Sequence, residues 1–245
     1  VAEKRALKMP ETPLQKFSLK EIEVISFDLD DTLWNGTQVL IKAEKAMQSW
    51  MAKHTEKVIH ELPSAEMRSR KMQFIKSNPH LIHQVSQARE LFLEHLFNDF
   101  EYENSKQLAK ECFAEFFKAR QQVQLFDGVL ESLSHLKKHV RLIAITNGNA
   151  DLQSVGLGEY FEFCLNAEDF NKPKPHGDIF QDALNRTNIQ AHQCLHVGDH
   201  PVHDMQGAFD VGMHTCWLKD GSREWQQDFS PNLTIQTVED LAALY

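Results

Sequence analysis

Carboxylates follow a short apolar run near the start of the chain, and their spacing suits phosphate or metal chemistry. Residues 22–27 read Ile-Glu-Val-Ile-Ser-Phe, and Asp28, Asp30, Asp31 and Thr32 come next. The β-branched run predicts a buried strand, and ligands of open α/β sheets bind outside the carboxyl ends of strands. Asp28 and Asp30 point to the same side if the extended geometry continues. Converging carboxylates need a counter-charge, and Mg²⁺ is the first candidate because it prefers oxygen ligands. The alternative is a solvated acidic turn that caps a helix.

A hydroxyl, an amide and a glycine follow a second apolar run. Residues 141–146 end in Thr146, and Asn147 and Gly148 come directly after it. A hydroxyl beside a glycine-permitted turn can present that hydroxyl and backbone N–H groups to a phosphate oxygen. Taken alone, Thr-Asn-Gly is equally an ordinary turn.

A lysine and two further acids complete the set of charged positions. Lys174 lies between two prolines, ahead of an amphipathic helix. Prolines fix the backbone and hold one ammonium group in place, which suits a phosphate clamp. A third apolar run, 194–198, is followed by Asp199, and Asp204 comes five positions later. Acids at the ends of two strands of one sheet repel each other unless a cation joins them.

These four segments, in this order and spacing, resemble the four motifs of the haloacid dehalogenase superfamily of phosphohydrolases. The resemblance implies an α/β fold with a doubly wound, Rossmann-like parallel sheet. It also implies that Asp28 is the nucleophile, that Asp30 is the general acid/base, and that Lys174 holds the phosphoryl group together with Thr146 and the Asn147 backbone. An aspartyl-phosphate would then split the displacement into two steps. Dehalogenases carry a non-acidic residue at the position of Asp30, which argues against cleavage of a carbon–halogen bond.

The same resemblance implies an Mg²⁺ site. The ion would be bound by Asp28, by the main-chain carbonyl of Asp30 and by Asp199, with Asp204 as a supporting group rather than a direct ligand. Histidines near these acids offer an alternative transition-metal site: His196, His200 and His203. We favour hydrogen-bonding roles for them, because imidazole selects softer metals.

A long segment with helical periodicity separates the first two motifs. Residues 33–140 are too many for a strand-to-strand loop. Apolar residues recur three and four apart in three stretches of it: 43–54, 81–97 and 108–117. Asn78-Pro79 is expected to separate helices, since the residue before proline avoids the helical region. The segment resembles the all-helical cap of one branch of the superfamily.

The predicted domain division follows from that resemblance. Residues 37–122 would form the helical cap, and residues 1–36 and 123–245 the α/β catalytic core. Within the core, helices are expected over 128–138 and over 237–244.

Two groups of cap residues invite bolder interpretations. The aromatic stripe at 113–117 is predicted to be cap core rather than a stacking platform. Arg68, Arg70 and Arg89 are predicted to be solvated charges on helix faces, although one of them could reach a substrate.

Composition narrows the class of protein. The formal net charge of −9 argues against nucleic acid as a partner and leaves a small anionic substrate possible. The four cysteines contain no Cys-x-x-Cys pair, which predicts reduced, mostly buried thiols in a cytosolic protein. Residues 1–21 lack an apolar signal core, and no run of 18 apolar residues occurs, so a soluble, cytoplasmic protein without membrane contact is expected.

A closer resemblance narrows the expected substrate. Four core segments look like the bacterial flavin-related phosphatase subgroup: 142–150, 156–163, 195–199 and 212–217. Members of that subgroup dephosphorylate FMN and the phosphorylated ribitylaminouracil intermediate of riboflavin synthesis, so the resemblance implies these or similar sugar-type phosphates. The alternatives are a sugar phosphomutase, in which the phosphoryl group passes to another substrate hydroxyl, and a non-catalytic binding protein that kept the fold.

Overall fold

The three apolar runs that precede the acids and the threonine form strands of a parallel sheet, as predicted, and three further strands, which were not predicted, complete it. The structure is a computed structural model that describes residues 17–170 and 172–245. Within these residues the strands are β1 Val24–Phe27, β2 Arg141–Thr146, β3 Cys164–Asn166, β4 Cys194–Gly198, β5 His214–Leu218 and β6 Leu233–Ile235. The α-helices are α1 Gly36–His54, α2 Glu56–Glu61, α3 Ser64–Ser77, α4 Val85–Asp99, α5 Ser105–Arg120, α6 Val129–Leu136, α7 Ala167–Phe170, α8 Gly177–Thr187, α9 Gly207–Asp210 and α10 Val238–Ala242.

The sheet is wound in two directions from its centre. The strand order is β3-β2-β1-β4-β5-β6, and every pairing is parallel. Val24 of β1 is in register with Arg141 of β2 on one side and with Cys194 of β4 on the other. The connections therefore leave β1 and β4 in opposite directions, and a crevice opens at the carboxyl ends of these two strands. The predicted doubly wound α/β fold is confirmed.

Helices cover both faces of the sheet because successive strand residues point to opposite sides. One face carries Ile25, Phe27 and Leu142, which pack in a cluster with residues of α6 and α10. The other face carries Val24 and Ile143, which pack with residues of α8 and α9. The four central strands are thus buried on both sides, and the polar residues at the ends of β1, β2 and β4 lie at the crevice. The helices expected over 128–138 and 237–244 are α6 and α10.

The segment between β1 and β2 is helical and has a hydrophobic cluster of its own. The three predicted helical stretches fall in α1, α4 and α5, whose buried residues form that cluster together with members of α2 and α3. The helix α3 ends at Ser77, just before Asn78-Pro79. Phe116 is 2% exposed within the cluster and Phe113 packs against it, as the interpretation of the aromatic stripe as core predicts, whereas Phe117 is half-buried and does not belong to the cluster. The division into a cap over 37–122 and a core stays a prediction.

One cap arginine departs from expectation. The side chain of Arg89 is 13% exposed, because it forms an ion pair with Glu44 at 2.5 Å and its guanidinium carbon lies 3.6 Å from the centroid of the Phe116 ring. A solvated helix-face charge is therefore the wrong description of Arg89. Arg70, which pairs with Glu66 on the helix surface, fits it.

The cysteines are free thiols, as predicted. Cys112, Cys194 and Cys216 are buried and Cys164 is half-buried. Burial raises the pKa of the Cys112 and Cys164 thiols to about 12. Among residues 17–170 and 172–245, no helix has both the length and the apolar character that a membrane span needs.

Candidate active site

The crevice at the ends of β1 and β4 contains every residue for which the sequence predicts a role in catalysis or binding. A cavity of about 170 Å³ opens there. Its lining residues include Asp28, Asp30, Thr146, Asn147, Lys174, Asp199 and Asp204. Five other residues complete the lining: Asp31, Gly148, His200, His203 and Arg223. The parallel order of the strands is what brings these distant segments together.

Lys174 joins two buried carboxylates at the centre of the crevice. Its Nζ donates hydrogen bonds to Oδ1 of Asp28 and Oδ1 of Asp204, both at 2.6 Å, and to the carbonyl of Ile145 at 2.7 Å. Burial alone would lower the pKa of Lys174, but Asp204 and Asp28 hold that pKa above its ordinary value. Burial alone would raise the pKa of Asp204, but Lys174 and a hydrogen bond from His196 hold it below its ordinary value. The lysine is therefore a fixed ammonium ion.

Three carboxylates lie together here, two of them paired with Lys174 and the third, Asp199, paired with Arg223. Oxygens of Asp28, Asp199 and Asp204 lie within 4.8 Å of one another. Burial, together with repulsion from Asp204, raises the pKa of Asp199 to about 7. Burial also raises the pKa of Asp28 well above its ordinary value, although Lys174 opposes the effect. The cluster has more buried negative charge than Lys174 can balance, and its donors are the hard oxygens that Mg²⁺ prefers. A hard divalent cation fits this donor set.

Asp30 lies beside that cluster and is held by two donors. Its Oδ1 accepts a hydrogen bond from Nε1 of Trp34 at 2.8 Å, and its Oδ2 accepts one from Nη2 of Arg120 at 2.5 Å. No role was predicted for Arg120 from the sequence. Its spacing does indicate its location, because Arg120 follows Phe113 and Phe116 by seven and four positions and so falls on the apolar face of α5.

The turn after β2 is built around Thr146, Asn147 and Gly148. The Gly148 N–H donates to Oγ1 of Thr146 at 2.9 Å. The side chain of Asn147 accepts from the Lys174 N–H at 2.7 Å and donates to the Lys174 carbonyl at 3.1 Å. That side chain holds the loop of Lys174, which leaves the Asn147 backbone as the part expected to face a phosphoryl group. A Cβ at position 148 would come within 2.5 Å of Oδ2 of Asp30, so the close approach requires glycine.

The side chains of His196 and His200 form hydrogen bonds, and that of His203 forms a stacking contact. His196 is buried; its Nδ1 lies 2.8 Å from Oγ of Ser26, and its Nε2 lies 3.4 Å from Oδ1 of Asp204. Nδ1 of His200 accepts from the backbone N–H groups of Val202 and His203, and the His200 and His203 rings stack with centroids 3.8 Å apart. In the part of the chain that the structure describes, the only group arranged like a metal site consists of carboxylates.

Two further contacts frame the crevice. Asp31, with a φ of 63°, accepts from the Gly36 N–H at 2.9 Å and so stabilises the start of α1, whose N-cap residue is Asn35. Nη1 of Arg223 donates to Oδ2 of Asp199. Arg223 lies on the segment between β5 and β6, where no spacing or periodicity could have indicated it.

A larger cavity adjoins the turn after β2. Its volume is about 430 Å³. Phe117 of α5 forms one wall, and Asn149, Cys164 and Glu168 contribute to the other. Asn149 directly follows Gly148 of the smaller cavity, so the two cavities border the same turn.

This fold and site are those of a haloacid dehalogenase-like hydrolase. The chain matches the model of that family over residues 22–212 and belongs to it. The predicted family and the predicted enzyme class, a phosphatase, are confirmed.

Named relatives include phosphatases with different substrates. The 5-amino-6-(5-phospho-D-ribitylamino)uracil phosphatase YigB of Escherichia coli (strain K12) is 28% identical over 92% of this chain and 97% of its own length. The glyceraldehyde 3-phosphate phosphatase of Pyrococcus furiosus is 29% identical over 83% of both proteins. Among solved structures, a 2-haloacid dehalogenase from Pseudomonas syringae pv. Tomato DC3000 has a TM-score of 0.86 and 36% identity, and the match covers 91% of this chain and 97% of that one.

Proposed function

We propose that the protein is an Mg²⁺-dependent phosphomonoester hydrolase that forms an aspartyl-phosphate at Asp28. The observation that carries this proposal is the short contact between Lys174 and Asp28 inside a buried cluster of three carboxylates. Buried carboxylates this close repel one another, which favours a bound divalent cation, and the cation together with Lys174 would then attract an anionic phosphoryl group.

In the first step, a carboxylate oxygen of Asp28 attacks phosphorus and the bond to the leaving alcohol breaks. Lys174 offsets the charge on the transferred group and keeps Asp28 oriented. Thr146 and the backbone N–H groups of the turn after β2 donate to the phosphoryl oxygens. When bound, Mg²⁺ would be held by Asp28, Asp199 and the carbonyl of Asp30, and it would supply further positive charge at those oxygens.

Asp30 serves both steps. Its carboxyl group gives a proton to the oxygen of the leaving alcohol, and the resulting carboxylate then takes a proton from the water that attacks the aspartyl-phosphate. The second attack breaks the bond between phosphorus and Asp28 and releases inorganic phosphate. Asp204 supports this chemistry by holding Lys174.

The substrate that we propose is FMN or a related ribityl or sugar phosphate. Support comes from the match with YigB over most of both chains. The cavity of about 430 Å³ beside Gly148 supports a leaving group of substantial size, since it gives such a group an aromatic wall at Phe117. Selectivity would then depend on the segment 37–122, to which Phe117 belongs.

Two other reactions compete with hydrolysis of a phosphate ester. The similarity to a solved 2-haloacid dehalogenase suggests carbon–halogen cleavage, but halide leaves without a proton and gives Asp30 no task. A sugar phosphomutase would use the same aspartyl-phosphate and exclude water from it. A non-catalytic binding protein is disfavoured because all of the expected charged side chains line the crevice.

A phosphate-release panel tests the proposal. Purified protein with Mg²⁺ is assayed on FMN, ribityl and sugar phosphates, nucleotides and a 2-haloacid, with Asp28→Asn as the control for contaminating activity. We expect phosphate release with FMN or a ribityl phosphate near the top of the ranking. Halide release without phosphatase activity would overturn the reaction. Sugar phosphates isomerised without phosphate release would support the mutase instead.

A further inference from the structure

A buried arginine from the helical segment holds Asp30. Arg120 is the last residue of α5 and is 2% exposed. Its Nη2 lies 2.5 Å from Oδ2 of Asp30, whose side chain is 26% exposed. The two residues are 90 positions apart, so the contact joins the helical segment to the loop after β1.

Packing does not explain this arginine. Nη1 of Arg120 is buried and has no hydrogen-bond partner in the part of the chain that the structure describes. A buried donor without an acceptor costs about 1–3 kcal/mol, and a guanidinium kept only to pair with a carboxylate usually does so with both arms. An apolar residue would serve the cluster around α5 at a lower cost. The contact with Asp30 through Nη2 alone therefore points to a role for Arg120 other than packing.

The guanidinium lies at the phosphate-binding turn. A Cβ built at Gly148 would be 3.1 Å from Nη2 of Arg120, 2.5 Å from Oδ2 of Asp30 and 3.3 Å from Oγ1 of Thr146. These three side chains thus converge on one point beside the turn. Trp34 fixes the other oxygen of Asp30 through its Nε1. The carboxyl group of Asp30 is held from two sides, by a core loop and by α5.

We propose that Arg120 is a positioning residue for the general acid/base Asp30, and this inference rests on the proposed phosphatase function. Asp28 attacks phosphorus, the bond from phosphorus to the leaving oxygen breaks, and the proton of Asp30 passes to that oxygen. The carboxylate that remains then faces Arg120. The guanidinium keeps the carboxyl group oriented and stabilises the charge that proton transfer leaves on it.

The role predicts a dependence on the leaving group. An alcohol of high basicity cannot leave without a proton, whereas p-nitrophenolate leaves without one. Loss of Arg120 should therefore slow esters of basic alcohols much more than p-nitrophenyl phosphate. A residue that only supports the fold would slow all of these esters by the same factor.

The test is single-turnover release of the leaving group, with enzyme and Mg²⁺ in excess, from p-nitrophenyl phosphate, phenyl phosphate and a primary alkyl phosphate. We compare the wild type with Arg120→Met, Arg120→Lys and the control Arg89→Met, which removes a cap arginine that does not line the crevice. Circular dichroism checks the fold of each variant. A positioned general acid contributes roughly 10²- to 10⁴-fold.

We expect Arg120→Met to slow the alkyl ester at least about 30-fold more than p-nitrophenyl phosphate, given that general-acid range. We expect Arg120→Lys to show a smaller selective loss and Arg89→Met to show none. If Arg120→Met does not fold, Arg120→Lys takes its place: a larger loss of rate on the alkyl ester than on p-nitrophenyl phosphate supports the inference, and equal losses overturn it. Equal losses on all esters, or no loss, would overturn the inference while the phosphatase function stands. A wild-type protein that hydrolyses none of the esters would instead defeat the proposed function, and the inference with it.

Discussion

Nζ of Lys174 lies 2.6 Å from Oδ1 of Asp28, although 146 positions separate the two residues. Asp28 follows the central strand β1, and Lys174 lies on the loop ahead of α8 that Asn147 holds through two hydrogen bonds. The ammonium group is buried and reaches Asp204 at the same distance. Lys174 therefore joins the proposed nucleophile to its supporting carboxylate, Asp204, through one buried cation.

Lys174→Met should abolish activity and lower the free energy of unfolding. The substitution leaves Asp28 and Asp204 buried without their partner, and loss of one member of a buried ion pair costs about 3–5 kcal/mol. This loss in the free energy of unfolding should be smaller at low pH, because protonation of the two carboxyl groups removes the unpaired charge. Urea unfolding at pH 5 and pH 8 measures both effects.

The control for that variant is Lys172→Met. Lys172 is two positions away, and its pair with Asp178 at 2.6 Å is about half exposed on both sides. Exposed pairs contribute roughly 0–1 kcal/mol, so this variant should remain close to the wild type. Equal destabilisation by the two substitutions would contradict the described role of Lys174.

Asp199 should make the metal-free protein less stable as pH rises. Burial raises its folded-state pKa to about 7, so between pH 4 and pH 7 the folded chain retains a proton that the unfolded chain has released. The free energy of unfolding therefore falls through this window relative to Asp199→Asn, by roughly 2–4 kcal/mol. Denaturation of both proteins in EDTA at pH 5, 6, 7 and 8 measures the difference.

The comparison with Asp199→Asn separates this effect from that of the histidines. Burial lowers the pKa values of His196, His200, His203 and His214. A histidine with a lowered pKa has the opposite effect: it makes the free energy of unfolding rise with pH, up to the ordinary histidine pKa. All four histidines are present in both the wild type and Asp199→Asn, so their effect cancels in the comparison. If the difference in the free energy of unfolding between the wild type and Asp199→Asn does not change with pH, the pKa of Asp199 is not raised.

Metal removal should abolish the activity of the enzyme. EDTA should abolish phosphate release and Mg²⁺ should restore it, whereas Zn²⁺ should serve poorly because it favours fewer and softer ligands. Mg²⁺ at 100 times its Kd should also stabilise the wild type by about 2.7 kcal/mol and should leave Asp199→Asn nearly unchanged. Turnover with Zn²⁺ after Mg²⁺ removal would point to His200 and His203 instead.

Phe117→Ala should weaken the binding of a large leaving group. Its ring forms a wall of the cavity beside Gly148, and its loss should raise KM for FMN about tenfold, or roughly 1.4 kcal/mol. KM for p-nitrophenyl phosphate should change much less. The control is Phe113→Ala, because Phe113 packs against Phe117 without lining that cavity. The same rise in KM for both esters would place the leaving group elsewhere.

The strands and the acids that end them could be predicted because local patterns encode them. Short apolar runs mark β1, β2 and β4, and an acid or a hydroxyl after such a run lies at the carboxyl edge of a parallel sheet, where ligands bind. Lys174 could be predicted because prolines on both sides restrict it. Each of these signals lies within a few neighbouring residues.

The arginines of the site could not be predicted in the same way. Arg120 lies on the apolar face of α5, but an arginine there is ordinarily taken to extend to solvent, and its partner Asp30 lies 90 positions away. Arg223 lies on an irregular segment where no periodicity constrains the side chain. The order of the strands depends on long-range packing, which no local pattern contains.

Trapping of the phosphoryl group on Asp28 distinguishes an aspartyl-phosphate intermediate from direct attack by water. Protein with Mg²⁺ and a slight deficit of p-nitrophenyl phosphate is quenched in acid within one turnover, reduced with borohydride and digested. We expect the peptide containing residue 28 to carry a phosphoryl group before reduction and homoserine at that position after it, and we expect neither in Asp28→Asn. Release of all of the substrate's phosphate within that turnover, with no modification of Asp28 at any time, would show that Asp28 is not the nucleophile.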